Sequence, residues 1–327
     1  MTTLPNINNL SRLKNLGLPP ITDLNELSSQ MRLSSGLVQQ LVYKSDDHYK
    51  VYYLDKKSGG KREIAQPSRA MKAAQSWILR KVLYRLRSSL NSKGFESGES
   101  ILSNAAPHVG AHVLLNIDLE DFFHSVPASH VYSIFQSIGY NKNISHIFTS
   151  LCTFNGRLPQ GAPTSPKLSN LACQRLDSRI QGYSGPKGIM YTRYADDITL
   201  SAFNEAKIRK AQPMIEEIVQ DEGFTINHRK TKVCGTRKRK EVTGLVISTD
   251  SVGIGRKKYR QIRAEIYTML KSDNSKLEQI NGWLAYIKSV DENNYCRLIK
   301  YIITLKKTFP NNILFDLIPC IKATSVK

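Results

Sequence analysis

A chain of 327 residues is long enough to bury a substantial core and to fold as one to three domains. It carries 47 Lys and Arg against 27 Asp and Glu, a formal charge of +20, and that imbalance points to a polyanionic partner such as nucleic acid. No apolar run reaches the length of a membrane span, the opening "MTTLPNINNL" lacks the layout of a signal peptide, and the scattered Cys152, Cys173, Cys234, Cys296 and Cys320 suit neither a zinc site nor a disulfide framework, so a cytoplasmic protein with reduced thiols and no membrane contact is expected.

In chain order, residues 1–45 read as short helices broken at Gly17-Leu18-Pro19-Pro20. The stretch "YKVYYLDKKSGGKREIAQPS" has two β-rich arms around Ser58-Gly59-Gly60 and predicts a hairpin with Lys61 and Arg62 on its far arm. From Ser68 to about Leu90, Met71, Gln75, Ile78, Val82, Leu86 and Leu90 recur at helical spacing, while Lys72, Arg80, Lys81, Arg85 and Arg87 fall on other faces. This predicts one amphipathic helix of about six turns.

In "HVLLNIDLEDFFHSV", Val113, Leu114, Leu115 and Ile117 form a short apolar run, as in a buried strand that ends at Asp118. Gln160 follows in "LPQGAPTSP", a Gly/Pro-framed loop where a backbone can approach a ligand closely, although a purely structural turn would need the same residues. Then "TRYADDITLS" sets two adjacent carboxylates, Asp196 and Asp197, inside a period-two run of strand formers, which reads as a hairpin with the acids at its tip. A solvated turn would accept them, and so would a divalent cation with its preference for hard oxygen ligands. If the strand of Asp118 lies beside that hairpin, three aspartates converge where two Mg²⁺ ions could sit.

Beyond Gly255 the pattern turns helical. Tyr259, Ile262, Ile266 and Met269 form an apolar stripe, with Arg256, Arg260 and Arg263 at i, i+4 and i+7 on another face, able to grip phosphates. Two more helices are signalled by Leu277, Ile280, Trp283, Leu284 and Ile287, then by Leu298, Tyr301, Ile302 and Leu305.

Asp118 with an aromatic five positions on, "LPQGAPTSP", "YADD", "GFTINHRKT" at 223–231 and "VTGLVI" at 242–247 together are similar in order and spacing to reverse transcriptases. Within that family, "NAAPH" at 104–108 and "VTG" at 242–244 resemble the two signatures of retron reverse transcriptases, and the resemblance covers roughly residues 50–310. It implies an α/β right hand: N-terminal helices and fingers over 1–110, a palm with an antiparallel sheet and the catalytic aspartates over 111–248, with room for fingers and palm to interleave, and a helical thumb over 249–327. It implies Asp118 and Asp196 as principal metal ligands, Asp197 as the accessory acid, and a contribution from the Leu119 carbonyl. Lys61 and Arg62 would neutralise the triphosphate, Gln160 would lie against the nucleotide, and Lys230 would serve the leaving pyrophosphate as a proton donor or phosphate contact.

By the same resemblance Phe123 would exclude a 2′-hydroxyl. It is preferred to Phe122 because neighbours in extended structure point to opposite sides. RNA contacts would come from Asn104, His108, Val242, Thr243, Gly244, Arg256, Arg260 and Arg263, although a lone His beside an apolar strand is more often structural.

The implied activity is RNA-directed DNA synthesis on a cognate structured noncoding RNA, primed from an internal guanosine 2′-hydroxyl and yielding branched multicopy single-stranded DNA. Implied partners are that RNA and its RNA–DNA product, deoxynucleoside triphosphates, a defence effector protein acting against phages, and RNase H supplied by the host. An intron-type reverse transcriptase, a non-catalytic RNA-binding module and a two-metal nuclease are the alternatives. The last two leave either the three aspartates or "LPQG" and the aromatic unexplained.

Overall fold

The computed structural model describes residues 7–56, 59–272 and 277–308, so Ser58, Cys320 and the last part of the expected thumb lie outside the described residues. Three N-terminal helices, α1 (Ile7–Asn15), α2 (Leu24–Met31) and α3 (Ser35–Tyr43), form where the short-helix pattern predicts them. Asp23 caps α2 by accepting from the Asn25 and Glu26 amides, and Ser34 caps α3. The intervening turn is tied to the body of the protein, since the Tyr140 hydroxyl donates to Pro19 O at 3.1 Å and Asn141 Nδ2 to Thr22 O at 2.8 Å.

The predicted hairpin is β1 (Tyr49–Asp55) paired antiparallel with β2 (Lys61–Pro67), and most of β1 is exposed. Helix α4 covers only Arg69–Lys81, capped by Ser68, so the six-turn helix expected to Leu90 is not formed. Val82 ends it, and a single 3₁₀ turn over Leu83–Arg85 follows before Leu86 becomes extended. The reason is packing and composition together. Val82 and Leu83 are wholly buried by the bend, whereas Leu90 is 89 % exposed and lies among Ser88, Ser89, Asn91 and Ser92, whose side chains compete for the backbone.

After α5 (Ile101–Ala105), the central strand β3 (Val113–Glu120) is flanked by β5 (Asp197–Ala202) on one side and by β6 (Thr225–Ile226) and β7 (Lys232–Cys234) on the other, with β4 (Met190–Tyr194) outside β5. All these pairings are antiparallel. Helices α6 (Ala128–Ser137), α7 (Lys142–Cys152), α8 (Ser165–Ala172), α9 (Gln174–Ser184) and α10 (Glu205–Asp221) accompany the sheet. A three-stranded sheet of β8 (Lys240–Val242), β9 (Leu245–Ile247) and β10 (Val252–Gly253) then leads into α11 (Gly255–Ser272), α12 (Leu277–Val290) and α13 (Glu292–Thr308).

Among the described residues burial gathers into two clusters. One draws its members from Leu13 to Ile226, so residues before and after position 110 share a core. A second gathers Ala105, Leu114, Val242, Leu245 and Ile247 with the buried faces of α11, α12 and α13, from Ile262 to Leu305, which means the helical module packs on the β8–β9 hairpin as well as on itself. An antiparallel sheet backed by helices, a projecting basic hairpin and a three-helix module are the parts of a right-hand polymerase fold, as the resemblance implies. No described helix is long and apolar enough to cross a membrane.

Candidate active site

The three aspartates meet through strand register. β3 pairs with β5 so that Asp118 stands directly opposite Asp197, and Tyr194 pairs with Asp197 across the β4–β5 turn, leaving Ala195 and Asp196 as its two loop residues. Only Asp196 is therefore at the hairpin tip, while Asp197 is the first residue of a strand. Nor does the strand end at Asp118: β3 runs on to Glu120 because Leu119 and Glu120 pair with Ile226 and Thr225. Asp118 instead marks the point where the β5 pairing stops, and the Leu119 amide donates to Asp196 O at 3.0 Å while Asn227 N donates to Asp118 O at 2.8 Å. The carbonyls of Asp118 and Asp196 are thus pinned from both neighbouring elements.

Like charges opposite each other in a ladder are unfavourable. Burial pushes the Asp197 carboxyl up to about 6, helped by the negative charges of Asp196 and Asp118. Asp196 is also raised, chiefly by burial and further by Asp118, with Lys230 and Arg62 opposing the shift. Lys230 Nζ lies 2.9 and 3.1 Å from the two Asp118 carboxylate oxygens, and that bond holds its ammonium above the ordinary lysine range. Among the described residues no three acids, His or Cys are already closed on one point as a metal cage. The donor chemistry nevertheless fits a divalent cation: hard carboxylate oxygens whose mutual repulsion a cation would relieve, in a number that leaves positions for substrate phosphates.

The other nucleotide-site candidates come from two directions. Arg62 is near enough to Asp196 for its charge to stabilise the carboxylate, and it shares β2 with Lys61; both side chains are exposed. The "LPQG" loop docks on the same strand, with the Ala65 amide donating to Gln160 O at 2.9 Å. Gly161 has φ +133, and a Cβ there would lie 2.7 Å from Ala65 O, so this approach requires glycine. Phe122 is buried and stacks on Phe224 with ring centroids 6.0 Å apart, whereas Phe123 is half-buried. Extended alternation does not distinguish the two rings, because Asp121 takes φ +42 and residues 121–125 form a turn; what differs between them is burial.

The two signature segments fold against each other. Asn104 Nδ2 approaches Thr243 Oγ1 at 3.5 Å, and the Thr243 hydroxyl donates to Ile101 O at 3.4 Å. Thr243 and Gly244 are the two loop residues between β8 and β9, with φ +47 and +80, the backbone of a type I′ hairpin. His108 is buried, with Nδ1 2.7 Å from Ser201 Oγ on β5 and Nε2 2.8 Å from Thr192 Oγ1 on β4, and burial lowers it to about 4. Asn104, His108 and Val242 are interior, so the direct RNA contact expected of these side chains is corrected to a structural tie between the aspartate-bearing sheet and the helical module. Thr243 is half-buried and Gly244 exposed.

Arg256, Arg260 and Arg263 are exposed on one face of α11 and line a cleft of about 760 Å³ with Tyr259 and with Arg297 of α13. Arg263 sits 4.2 Å above the Tyr301 ring. Asp291 fixes the cleft floor by accepting from the Ile254 and Asn294 amides, both at 3.0 Å. Sequence reasoning missed Arg297, because helical spacing within one segment carries no signal for a residue two helices away. It also missed Phe95, whose ring centroid is 6.1 Å from that of Phe123 and 6.5 Å from that of Tyr194. An aromatic between glycines in the polar "KGFESGES" was the available hint.

Residues 54–247 match the family model described as reverse transcriptase (RNA-dependent DNA polymerase). The chain is 49 % identical over 308 residues to the Retron Ec86 reverse transcriptase of Escherichia coli, covering 94 % of this chain and 96 % of that protein. It is 31 % identical over 314 residues to the Retron Mx65 reverse transcriptase of Myxococcus xanthus, covering 89 % of this chain and 73 % of that one.

Proposed function

The chain belongs to the retron-type reverse transcriptases and is an RNA-directed DNA polymerase, and from that premise we propose that it copies its own structured noncoding RNA into branched multicopy single-stranded DNA, starting from an internal guanosine 2′-hydroxyl. The observation that carries the chemistry is the placement of Asp118 opposite Asp197 with Asp196 at the adjoining turn. Reverse transcriptases are generally dependent on divalent metal. Two Mg²⁺ held by Asp118, Asp196, Asp197 and the Leu119 carbonyl would lower the pKa of an attacking hydroxyl and stabilise the leaving oxygen.

The chain's own residues supply the rest. Lys61 and Arg62 neutralise the triphosphate from the fingers hairpin, and Gln160 lies against the nucleotide from a loop held to the same strand. Lys230 gives up the Asp118 carboxylate and places its proton or charge on the departing pyrophosphate. Arg256, Arg260 and Arg263 grip RNA phosphates. Fingers, palm and thumb correspond to residues 1–110, 111–248 and 249–327. The enzyme works in the cytoplasm, its RNA–DNA product assembles with or restrains an effector protein in defence against phages, and host RNase H trims the template.

The test is incubation of the purified protein with transcripts of the DNA beside its gene, Mg²⁺ and deoxynucleotides, without an added primer. The expected product is DNA joined covalently to RNA through a branch that survives the alkali and ribonuclease treatments that degrade the flanking RNA, because a guanosine esterified at both its 2′ and 3′ oxygens has no free vicinal hydroxyl to attack its phosphodiesters. No such product, together with extension in a parallel reaction given a DNA primer, would leave a polymerase and refute self-priming.

A sharper check concerns the sugar. Phe123→Val should raise ribonucleotide relative to deoxynucleotide use by about tenfold or more, because a steric pocket discriminates by exclusion. Phe122→Val should instead cost about 1–3 kcal/mol of stability, as a truncation within a core stack does, with the sugar preference kept. Single-nucleotide extension and thermal melts on both variants decide it. An active Phe123→Val enzyme with the parent's preference would remove Phe123 from the sugar site.

A further inference from the structure

Residues 91–99 form no regular element, yet they brace the β4–β5 turn. The Arg193 amide donates to Asn91 O at 2.8 Å, and the Lys93 amide donates to Arg193 O at 2.7 Å. Gly94 lies so close that an added Cβ would be 2.7 Å from Ala195 N, next to Asp196. On either side of Phe95 the chain is anchored to α8: Asn170 Nδ2 donates to Gly94 O at 2.7 Å and to Glu96 Oε1 at 2.8 Å, and Lys167 Nζ pairs with Glu96 at 2.6 Å.

Between those anchors Phe95 takes φ +62, a left-handed backbone that glycine adopts freely and a bulky residue adopts only at a cost. The residue is 42 % exposed, so core burial does not account for it. What it touches is specific. It sits against Phe123 and Tyr194, while Phe123 has Phe122 as its other aromatic neighbour, at 5.5 Å. Phe123 thus contacts one core ring, Phe122, and the ring of one exposed residue, Phe95.

We propose that Phe95 is a positioning residue for sugar selection: its ring backs Phe123 and fixes how far Phe123 reaches toward the 2′ position of the incoming nucleotide. The proposal rests on the reading of Phe123 as the residue that excludes the 2′-hydroxyl. It explains why a strained position carries an aromatic instead of the glycine its backbone favours, and why the flanking residues are tied so firmly to α8. Without the Phe95 ring, Phe123 can tilt into the space it leaves, and a ribose then fits.

The experiment replaces Phe95 with Gly and, separately, with Asn, both of which accept the left-handed backbone, and with Tyr, which keeps the ring. Steady-state single-nucleotide extension gives kcat and KM for matched ribo- and deoxynucleotides, alongside thermal melts. For Phe95→Gly and Phe95→Asn the ratio of ribonucleotide to deoxynucleotide kcat/KM should rise by about tenfold, mainly through KM, with the melting temperature near the parent's. Phe95→Tyr should behave as the parent.

A purely structural residue would lower the melting temperature and scale both nucleotides equally; an unchanged ratio in the Gly and Asn variants overturns the proposal. Adding Phe95→Gly to Phe123→Val should relax selectivity no further than Phe123→Val alone, since the two act as a unit. Multiplying effects would mean that Phe95 meets the nucleotide directly, and would overturn the positioning role. If Phe123→Val itself leaves selectivity unchanged, the reading of Phe123 fails and this proposal fails with it; if only the Phe95 variants are silent, that reading stands.

Discussion

Asp197→Asn is expected to abolish DNA synthesis, by at least about a thousandfold, while RNA affinity stays within about threefold of the parent's. The amide keeps the size of the side chain and its strand position opposite Asp118. On the proposed two-metal reading it removes one negative ligand, and with it several kcal/mol of charge stabilisation at the reacting phosphate. The basic cleft of α11 and α13 is built from other elements and keeps its charge. Stability provides an independent readout. Burial and the neighbouring Asp196 and Asp118 raise the Asp197 carboxyl to about 6, so above that pH its ionised form works against the fold. The Asn variant should therefore melt at or above the parent's temperature in metal-free buffer at neutral pH. Primer extension, gel-shift affinity and a thermal melt on one preparation check all three. Equal loss of synthesis and of RNA binding, or a marked fall in melting temperature, would make the acids structural.

Changing Arg256, Arg260 and Arg263 together to Gln is expected to do the converse. If each contacts a phosphate, the slope of log affinity against log salt should fall by about two to three. Near 0.1 M salt that corresponds to roughly a hundredfold to a thousandfold weaker binding, with parent and variant converging toward 1 M, where counterion release contributes nothing. Arg297 remains in the cleft, so some salt dependence should persist. Arg263 also stacks over Tyr301, and its loss should cost up to about 1 kcal/mol of stability. An Arg263→Lys control separates that packing from the phosphate contact. Turnover at saturating template should be close to the parent's, because the aspartates are untouched. A salt titration of binding with an unchanged slope would assign this helix face to solvent.

The chemistry was legible along the chain wherever it depends on local pattern. The apolar run before Asp118, the period-two flanks of Asp196 and Asp197, and the i, i+4, i+7 spacing of Arg256, Arg260 and Arg263 each report one element, and each element formed. Extended alternation does not separate Phe123 from Phe122, because the chain turns at Asp121, and only their burial differs. Where the pattern misled, a non-local term was responsible. Helical periodicity continues past Lys81, but burying Val82 and Leu83 bends the chain there and leaves Leu90 in solvent.

RNA contact for Asn104 and His108 is implied by the resemblance alone, and the lone His beside an apolar strand already reads as structural. Both residues become internal ties because Thr192, Ser201 and Thr243, all more than 80 positions away, supply their partners. The sequence by itself thus determined which residues could do this chemistry and on which elements they lie, since propensity and periodicity act over a few residues. Only the tertiary structure decided that Asp118 faces Asp197, that Lys230 reaches Asp118 and that Phe95 packs against Phe123. Those contacts are set by strand register and by a shared core, and each depends on what distant parts of the chain bury together.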